Sequence, residues 1–170
     1  MNIQIQQSTP TDLELIFEFY GYAVAHQKEV SDQHWEGFDP VLVKQEIAEG
    51  RQYQVLVDGQ VACVFVVTFN DKQIWKERSN DPAIYVHRIV THPSYRGLGF
   101  VGHITDWAIG YAKQHALQFV RLDTWADNEK LNQYYQRFGF QPAGNILITA
   151  NSGLPKHYEG IELSLFEIGV

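Results

Sequence analysis

The opening 50 residues alternate between the hydrophobic spacing of strands and that of helices. Ile3–Ile5 alternates apolar and polar residues, which indicates a strand, and Thr9–Asp12 has the cap, the first-turn proline and the acidic residue of a helix start. Apolar residues then recur at helical spacing to about His26. After an irregular stretch, residues 27–39, a shorter helix is predicted over Pro40–Glu49.

A β-hairpin is predicted next, because Asp58-Gly59 is a strong turn signal between two β-rich segments. The flanking strands are Gln52–Asp58 and Gln60–Asn70. Val61–Val67 is apolar at every position, so the second strand is expected to be buried on both faces near the centre of a sheet. The polar segment Asn70–Pro82 is predicted to be a loop.

The second half of the chain predicts alternating strands and helices. Their segments are, in order, a strand Ile84–Thr91, a helix that follows Gly99, a strand Phe119–Thr124, a helix Glu129–Phe138 that Gly139 ends, and strands Ile146–Ala150 and Tyr158–Ile168. The whole order is βααββ–β–αβαββ, without repeats or low-complexity linkers. We therefore predict a mixed α/β (α+β) fold in a single domain over residues 1–170.

Composition changes this picture by excluding classes of protein. The chain has 170 residues, 45% of them hydrophobic, and a formal charge of −7, so a real core is expected and generic nucleic-acid binding is not. The single cysteine, Cys63, allows no internal disulfide, and no apolar run reaches the ~20 residues of a membrane span. We expect a cytoplasmic protein without a signal peptide and without a membrane or nucleic-acid partner.

The turn Arg96-Gly97-Leu98-Gly99 carries the most chemical information, because it follows a strand and precedes a helix. Its glycines allow positive φ and the close approach of a ligand. The helix start offers free N–H groups and the arginine adds a positive charge, so the turn favours a pyrophosphate as ligand. The turn is not a Walker loop, because the lysine and hydroxyl residue are missing. The three glycines of residues 97–102 match a dinucleotide fingerprint in spacing, but they come late, behind a hairpin, so that interpretation ranks lower.

Two segments in sequence order carry a more specific signal. Ile89–Gly99 joins a strand to this turn, and Asn128–Phe140 contains an asparagine followed by Tyr135-x-x-x-Gly139-Phe140. Together they resemble the GNAT superfamily of acyl-CoA-dependent N-acyltransferases, sharply over residues 84–140 and in element order over 1–168. The resemblance implies a mostly antiparallel central sheet flanked by helices, with a V-shaped strand splay at the coenzyme A site and acetyl-CoA as acyl donor.

The resemblance also implies which residues hold acetyl-CoA. Backbone groups of Ile89, Val90 and Thr91 would bind the pantetheine arm like an added strand, and one of their N–H groups would polarise the thioester oxygen. Asn128 would help to place the cofactor. The pyrophosphate would contact Arg96, Gly97, Leu98, Gly99, Phe100, Val101 and Gly102. Of these, Val101 stands where the family usually has a small residue, although it also fits the apolar face of the helix.

In this family an amine attacks the thioester directly, so the reaction needs an acid for the departing thiolate and a base for the ammonium. By motif position, Tyr135 is the implied acid, with packing on its helix as the alternative. His87 is the candidate base, because imidazole titrates near neutrality, and a structural histidine is the alternative. By strand alternation, Tyr85, His87 and Ile89 are expected to share one face.

A primary amine is the expected acceptor, either a small amine or a peptide N-terminus. Residues 1–58 hold ten acidic and three basic residues, and an acidic rim would attract a cation. Trp35, Glu36, Tyr85 and Trp125 are predicted to line the acceptor side. No spacing of histidines or cysteines indicates a metal site.

Two other functions stay open. A catalytically silent acyl-CoA-binding module, acting as a sensor or partner protein, would tolerate Val101 in the loop. A nucleotide-binding protein would use the same loop for another pyrophosphate. A homodimer is a further expectation, because members of the family often pair through sheet edges and C-terminal strands.

Overall fold

A computed structural model describes residues 1–170 and contains a seven-stranded, mostly antiparallel sheet flanked by helices. The strands are β1 Ile3–Gln7, β2 Gln52–Val57, β3 Gln60–Thr68, β4 Ala83–Thr91, β5 Phe119–Trp125, β6 Gln141–Leu147 and β7 Glu162–Gly169. The helices are α1 Leu13–Val30, α2 Pro40–Ala48, α3 Lys72–Trp75, α4 Phe100–Gln114 and α5 Glu129–Arg137. The strand order across the sheet is β1-β2-β3-β4-β5-β7-β6. The predicted fold class is confirmed.

Four segments differ from the sequence-based prediction. Helix α1 continues to Val30 rather than ending near His26. The segment predicted as a polar loop contains α3 and a 3₁₀ turn, because Ile74 and Trp75 are buried there. Strand β6 begins at Gln141 and ends at Leu147, earlier than predicted, and β7 begins only at Glu162.

The residues form two compact units that share β4 as a continuous strand. The first unit consists of Met1–Val67 and Arg88–Phe100, and the second of Thr68–His87 and Val101–Val170. A single domain over the whole chain stays a prediction.

The first unit is built on antiparallel β1, β2 and β3. Asp58 and Gly59 both have positive φ, 49° and 84°, which is the turn that the Asp-Gly pair predicts. Cys63 is fully buried in β3, and burial raises the pKa of its thiol to about 12, so it acts as a small hydrophobic residue rather than as a nucleophile. The hydrophobic core of this unit consists of Ile16, Phe19, Tyr20, Val43, Ile47, Val64 and Val90.

In the second unit β7 lies between β5 and β6, antiparallel to both. The parallel pairing of β4 with β5 covers only Ala83–Tyr85 and Phe119–Arg121, although both strands continue, to Thr91 and Trp125. This early end of pairing corresponds to the predicted strand splay. Its hydrophobic core includes Ile74, Trp75, Ala83, Tyr85, Ile148, Leu163 and Leu165.

Arg88 lies within β4 but has a φ of +50°, a conformation that a non-glycine residue adopts only when its surroundings hold it. Its guanidinium pairs with the buried carboxylate of Glu46, donates to the Tyr20 hydroxyl at 3.0 Å and lies over the ring of Phe38. Regular alternation therefore does not continue through Arg88. Alternation no longer supports a shared face for Ile89 with Tyr85 and His87, and that placement stays a prediction.

Candidate active site

The loop between β4 and α4 has the backbone that a phosphate site requires. Gly97 and Gly99 have φ of 85° and 70°, and no heavy atom lies within 4 Å of the position that a Cβ would take on either residue. Helix α4 begins at the next residue, Phe100, with its first N–H groups at this loop. The predicted positive φ values are confirmed, and the loop backbone is open to a ligand.

Side chains around the loop divide into exposed and buried ones. Arg96 is exposed and takes part in no ion pair, and the Leu98 side chain is also exposed. Phe100 and Val101 are only 2% and 7% exposed, so their backbone N–H groups, rather than their side chains, are what a ligand could contact. The prediction that Val101 belongs to the apolar face of its helix is confirmed.

Gly102 has a packing role that the sequence did not indicate. A Cβ on this residue would lie 2.9 Å from Cε1 of Phe138. The absence of a side chain therefore lets α4 approach the Phe138 ring closely, whatever else the residue does.

The last residues of β4 and the following His92 are held by contacts within the first unit. Val90 is buried in the first unit's core, and the Thr91 hydroxyl contacts the Cys63 sulfur at 3.7 Å. The His92 N–H donates to the Ala62 carbonyl at 2.9 Å. The His92 ring accepts the N–H of Ser94 at 3.1 Å, so this side chain caps the turn that follows β4.

Asn128 is the N-cap of α5, because its Oδ1 accepts the N–H of Leu131 at 3.1 Å. Asn132, which the sequence analysis missed, donates its amide to the carbonyls of Trp125 at 3.0 Å and Asn128 at 2.6 Å. These bonds fix the start of α5 to the end of β5. The cap occupies the Asn128 oxygen, so its amide nitrogen is the part that could contact a cofactor.

Tyr135 lies on α5 and is half-buried. Its ring contacts those of Phe140 and Phe166, with centroids 6.2 and 6.3 Å away. Phe140 is buried behind Gly139, whose φ of 95° confirms the predicted helix end. These contacts hold the ring in place and are compatible with a phenol presented to a ligand.

His87 is in contact with two carboxylates that are distant in sequence. Its Nε2 lies 3.0 Å from Oδ2 of Asp71, and its Nδ1 lies 3.6 Å from Oδ1 of Asp123. The side chains of the two acids are only 8% and 7% exposed, against 22% for the histidine. Burial raises the pKa of Asp123 to about 6, while His87 opposes the rise and Asp71 adds to it. The three residues are the group in this structure that could hold a metal ion.

Arg121 forms a second charged cluster, also on β5. Its guanidinium donates to Asp81 at 2.8 Å, to Glu167 at 3.0 Å and to the Tyr85 hydroxyl at 3.0 Å. Tyr85 is fully buried, and its ring also packs on Trp75. The prediction that Tyr85 lines the acceptor side is therefore wrong, because no surface of it remains for an acceptor.

The other predicted acceptor residues lie in different units. In the first unit Trp35 packs on Tyr20 and Phe38, with centroids 6.2 and 5.4 Å away, and the following residue, Glu36, is exposed. In the second unit Trp125 is half-buried beside the hydrophobic core.

Comparison with known proteins supports the class that the fold and the loop suggest. The chain matches the acetyltransferase (GNAT) family over residues 13–140, and it belongs to that family. The resemblance drawn from the two sequence motifs is thus confirmed.

Individual relatives are distant. A protein of Bacillus subtilis (strain 168), described as the uncharacterized N-acetyltransferase YesJ, is 27% identical over 74 residues, which are 44% of this chain and 41% of that protein. The chain thus matches about two fifths of the length of this curated relative.

Solved structures share the fold over nearly the whole chain. A GNAT-family acetyltransferase from Listeria monocytogenes 4b F2365 superposes with a TM-score of 0.78 at 24% identity, covering 99% of this chain and 95% of the other. A polyamine N-acetyltransferase of Drosophila melanogaster that forms N-acetylagmatine superposes with a TM-score of 0.69 at 12% identity, covering 99% of this chain and 100% of the other.

None of the helices in the structure has both the length and the apolar character needed to cross a membrane.

Proposed function

We propose that this protein is an N-acetyltransferase that moves the acetyl group of acetyl-CoA directly to a primary amine. The observation that carries the proposal is the loop at residues 96–102. There, two left-handed glycines, an arginine outside any ion pair and the start of a 15-residue helix follow one another. Backbone N–H groups and a cation in this order favour a pyrophosphate.

The donor would be bound mainly through the backbone. We assign the pyrophosphate to Arg96 and to the N–H groups of residues 97–102, and the pantetheine arm to the backbone of Ile89, Val90 and Thr91. The amide of Asn128 is a further contact. Because the side chains of Phe100 and Val101 are buried, a bulky residue at 101 does not conflict with this assignment.

The chemical step would use two side chains of the second unit. His87 takes one proton from the acceptor ammonium, and the amine lone pair then forms the C–N bond at the thioester carbonyl carbon. As the C–S bond breaks, its electron pair goes to sulfur, and Tyr135 donates its phenolic proton there. The second amine proton replaces the proton that Tyr135 gave, and the proton on His87 passes to solvent.

We propose a small primary amine as acceptor, with a peptide N-terminus as the alternative. The support is the acidic surplus of residues 1–58 and the exposed Glu36 next to Trp35 in sequence. At low salt, Glu36→Gln is expected to raise the KM for the amine, whereas Glu29→Gln, another exposed acid, leaves it unchanged. An equal response of both variants would remove Glu36 from the acceptor site.

The donor assignment is tested by calorimetric titration with acetyl-CoA. We expect a Kd of about micromolar order, weakened roughly tenfold by Arg96→Gln, since one charge-assisted contact to phosphate is lost. Arg137→Gln, an exposed arginine on α5, is the matched control and should bind normally. Equal affinities for the two variants would contradict the loop assignment.

The acid assignment is tested by release of free thiol from acetyl-CoA. Tyr135→Phe is expected to slow release by about a hundredfold or more while acetyl-CoA binds as before. Tyr134→Phe, the adjacent tyrosine, is the control and should retain the rate. Acetyl-CoA binding without thiol release from any amine would instead identify a silent acyl-CoA-binding module.

We further propose that the protein acts in the cytoplasm. The support is a single cysteine that is fully buried, which leaves no thiol for a disulfide. A homodimer paired through a sheet edge is a separate expectation, and β1 and β6 are the two edge strands.

A further inference from the structure

Two buried carboxylates face His87 without the partners that buried acids normally have. Oδ2 of Asp71 and Oδ1 of Asp123 are shielded from solvent and accept no hydrogen bond. Their closest basic neighbour is the imidazole of His87, with Nε2 3.0 Å from Asp71 and Nδ1 3.6 Å from Asp123. Since buried polar atoms are nearly always satisfied, these two oxygens call for a ligand.

The charges in this cluster do not balance. Neither acid forms an ion pair with a lysine or an arginine, so a half-buried imidazole is the basic group that faces two carboxylates. Asp71 contributes to the raised pKa of Asp123, as a nearby like charge does. A divalent cation would neutralise both acids at once.

The donor set and its spacing suit a transition metal. One nitrogen and two carboxylate oxygens, one from each residue, lie within 4.8 Å of one another. Neighbouring ligands of a zinc ion bound at ~2.0–2.2 Å are roughly 3.0–3.5 Å apart, and the contact between Nε2 and Oδ2 at 3.0 Å already lies in that range. Imidazole with carboxylates favours zinc and its first-row neighbours over magnesium or calcium.

The backbone around the cluster is firmly held. The N–H of Asp71 donates to the Ser79 hydroxyl at 2.8 Å, and its carbonyl accepts the N–H of Trp75 at 2.8 Å. Asp123 lies inside β5, paired with Leu165 of β7. The three donors would therefore have to approach one another by rotation of their side chains, since the backbone that carries them is fixed.

We propose that Asp71, His87 and Asp123 form a binding site for one divalent transition-metal cation, for which zinc is the test ion. Metal binding at this site does not depend on the proposed acetyl transfer, because the three side chains would be charged and buried in the same way in a protein that is not an enzyme. A cation on His87 would take the lone pair that a base needs. The cation is therefore expected to inhibit transfer, if His87 is the base.

The test is a calorimetric titration of the full, chelator-stripped chain with zinc chloride, with no acetyl-CoA present. We expect one zinc per chain, at least tenfold weaker binding in Asp123→Asn and His87→Gln, and no comparable binding of magnesium. Asp106→Asn and His103→Gln, both exposed on α4, are the matched controls and should bind zinc normally.

A second measurement keeps the result independent of folding defects in the variants. Zinc is expected to raise the Tm of the wild-type chain and of both controls, and to leave that of Asp123→Asn unchanged. Absence of a one-to-one zinc complex would overturn the proposal. So would a complex whose affinity is the same in Asp123→Asn and His87→Gln as in the wild type.

Discussion

Arg121 and Asp123 lie two residues apart on β5, so their side chains point to the same face of the sheet, and each meets a residue of β4. Arg121 bonds to Tyr85 and joins the carboxylates of Asp81 and Glu167 through a single guanidinium. Asp123 meets His87, which it shares with a second acid. In the first cluster the chain supplies its own cation, and in the second it supplies only an imidazole.

The difference separates a network whose polar groups are all paired from one with unpaired carboxylate oxygens. The Arg121 side chain is 1% exposed, and its donors reach two carboxylates, a hydroxyl and the Arg78 carbonyl, so the cluster resembles other saturated buried ion pairs. The neighbouring cluster keeps two carboxylate oxygens without hydrogen bonds. Such a group persists when a ligand or a reaction uses it.

The largest expected change in stability comes from removing the Arg121 guanidinium, whose nitrogens all donate hydrogen bonds. Arg121→Met removes the only guanidinium between Asp81 and Glu167 and should lower the free energy of unfolding by about 3 kcal/mol. The loss is at the low end for a buried pair, because Asp81 is 45% exposed and can return to water. Urea denaturation measures it, with Arg137→Met as the exposed control; equal stability of the two variants would contradict the structural role.

A change of opposite sign in the free energy of unfolding is expected for the cluster of Asp71, His87 and Asp123. In chelator, Asp123→Asn should be more stable than the wild type above pH 7 by about 2–3 kcal/mol, because the native pKa of about 6 lies above the ordinary value for Asp. Between about pH 4 and 6 the native state holds more protons than the unfolded chain, so this contribution is present at low pH and lost as pH rises through 6.

That sign is checked by urea denaturation from pH 4 to 8. The wild-type curve should fall relative to Asp123→Asn across this range, whereas Asp127→Asn, an exposed acid, should follow the wild type. Parallel curves for wild type and Asp123→Asn would show that the ionised Asp123 carboxylate does not destabilise the folded state.

The smallest effect is the coupling between His87 and Asp123. A double-mutant cycle with His87→Gln and Asp123→Asn should give a coupling free energy of about 1 kcal/mol at neutral pH, since the two groups are close and largely buried. The same cycle with Asp127→Asn should give a value near zero. Zero coupling in both cycles would remove the electrostatic link between the histidine and this acid.

Sequence patterns predicted what local chemistry encodes. The Asp58-Gly59 turn, the apolar β3 and the glycines before α4 all lie where expected, because turn residues and hydrophobic runs act within a few positions. Edge strand β6 was misplaced, because its residues are mostly exposed and carry no apolar alternation. Helix α3, with four residues, is too short to show a period.

The charged clusters could not be found in the same way. Arg121 and Asp123 stand in a strand whose alternation is ordinary, and their partners lie in distant segments of the chain. Only the pairing of β4 with β5 brings Tyr85 beside Arg121, and the loop before α3 brings Asp71 to His87. The prediction for Tyr85 was wrong for the same reason: strand alternation cannot indicate that Arg121, a residue of another strand, bonds to its hydroxyl.

The central claim, acetyl transfer from acetyl-CoA to an amine, is tested most directly by identifying the product. The purified chain is incubated with acetyl-CoA and a panel of small primary amines and peptides, and mass spectrometry follows the acceptors. The account predicts one acceptor heavier by a single acetyl group, with an equal amount of free coenzyme A and far less product from Tyr135→Phe. Tight binding of acetyl-CoA with no acetylated amine and no released thiol would contradict it.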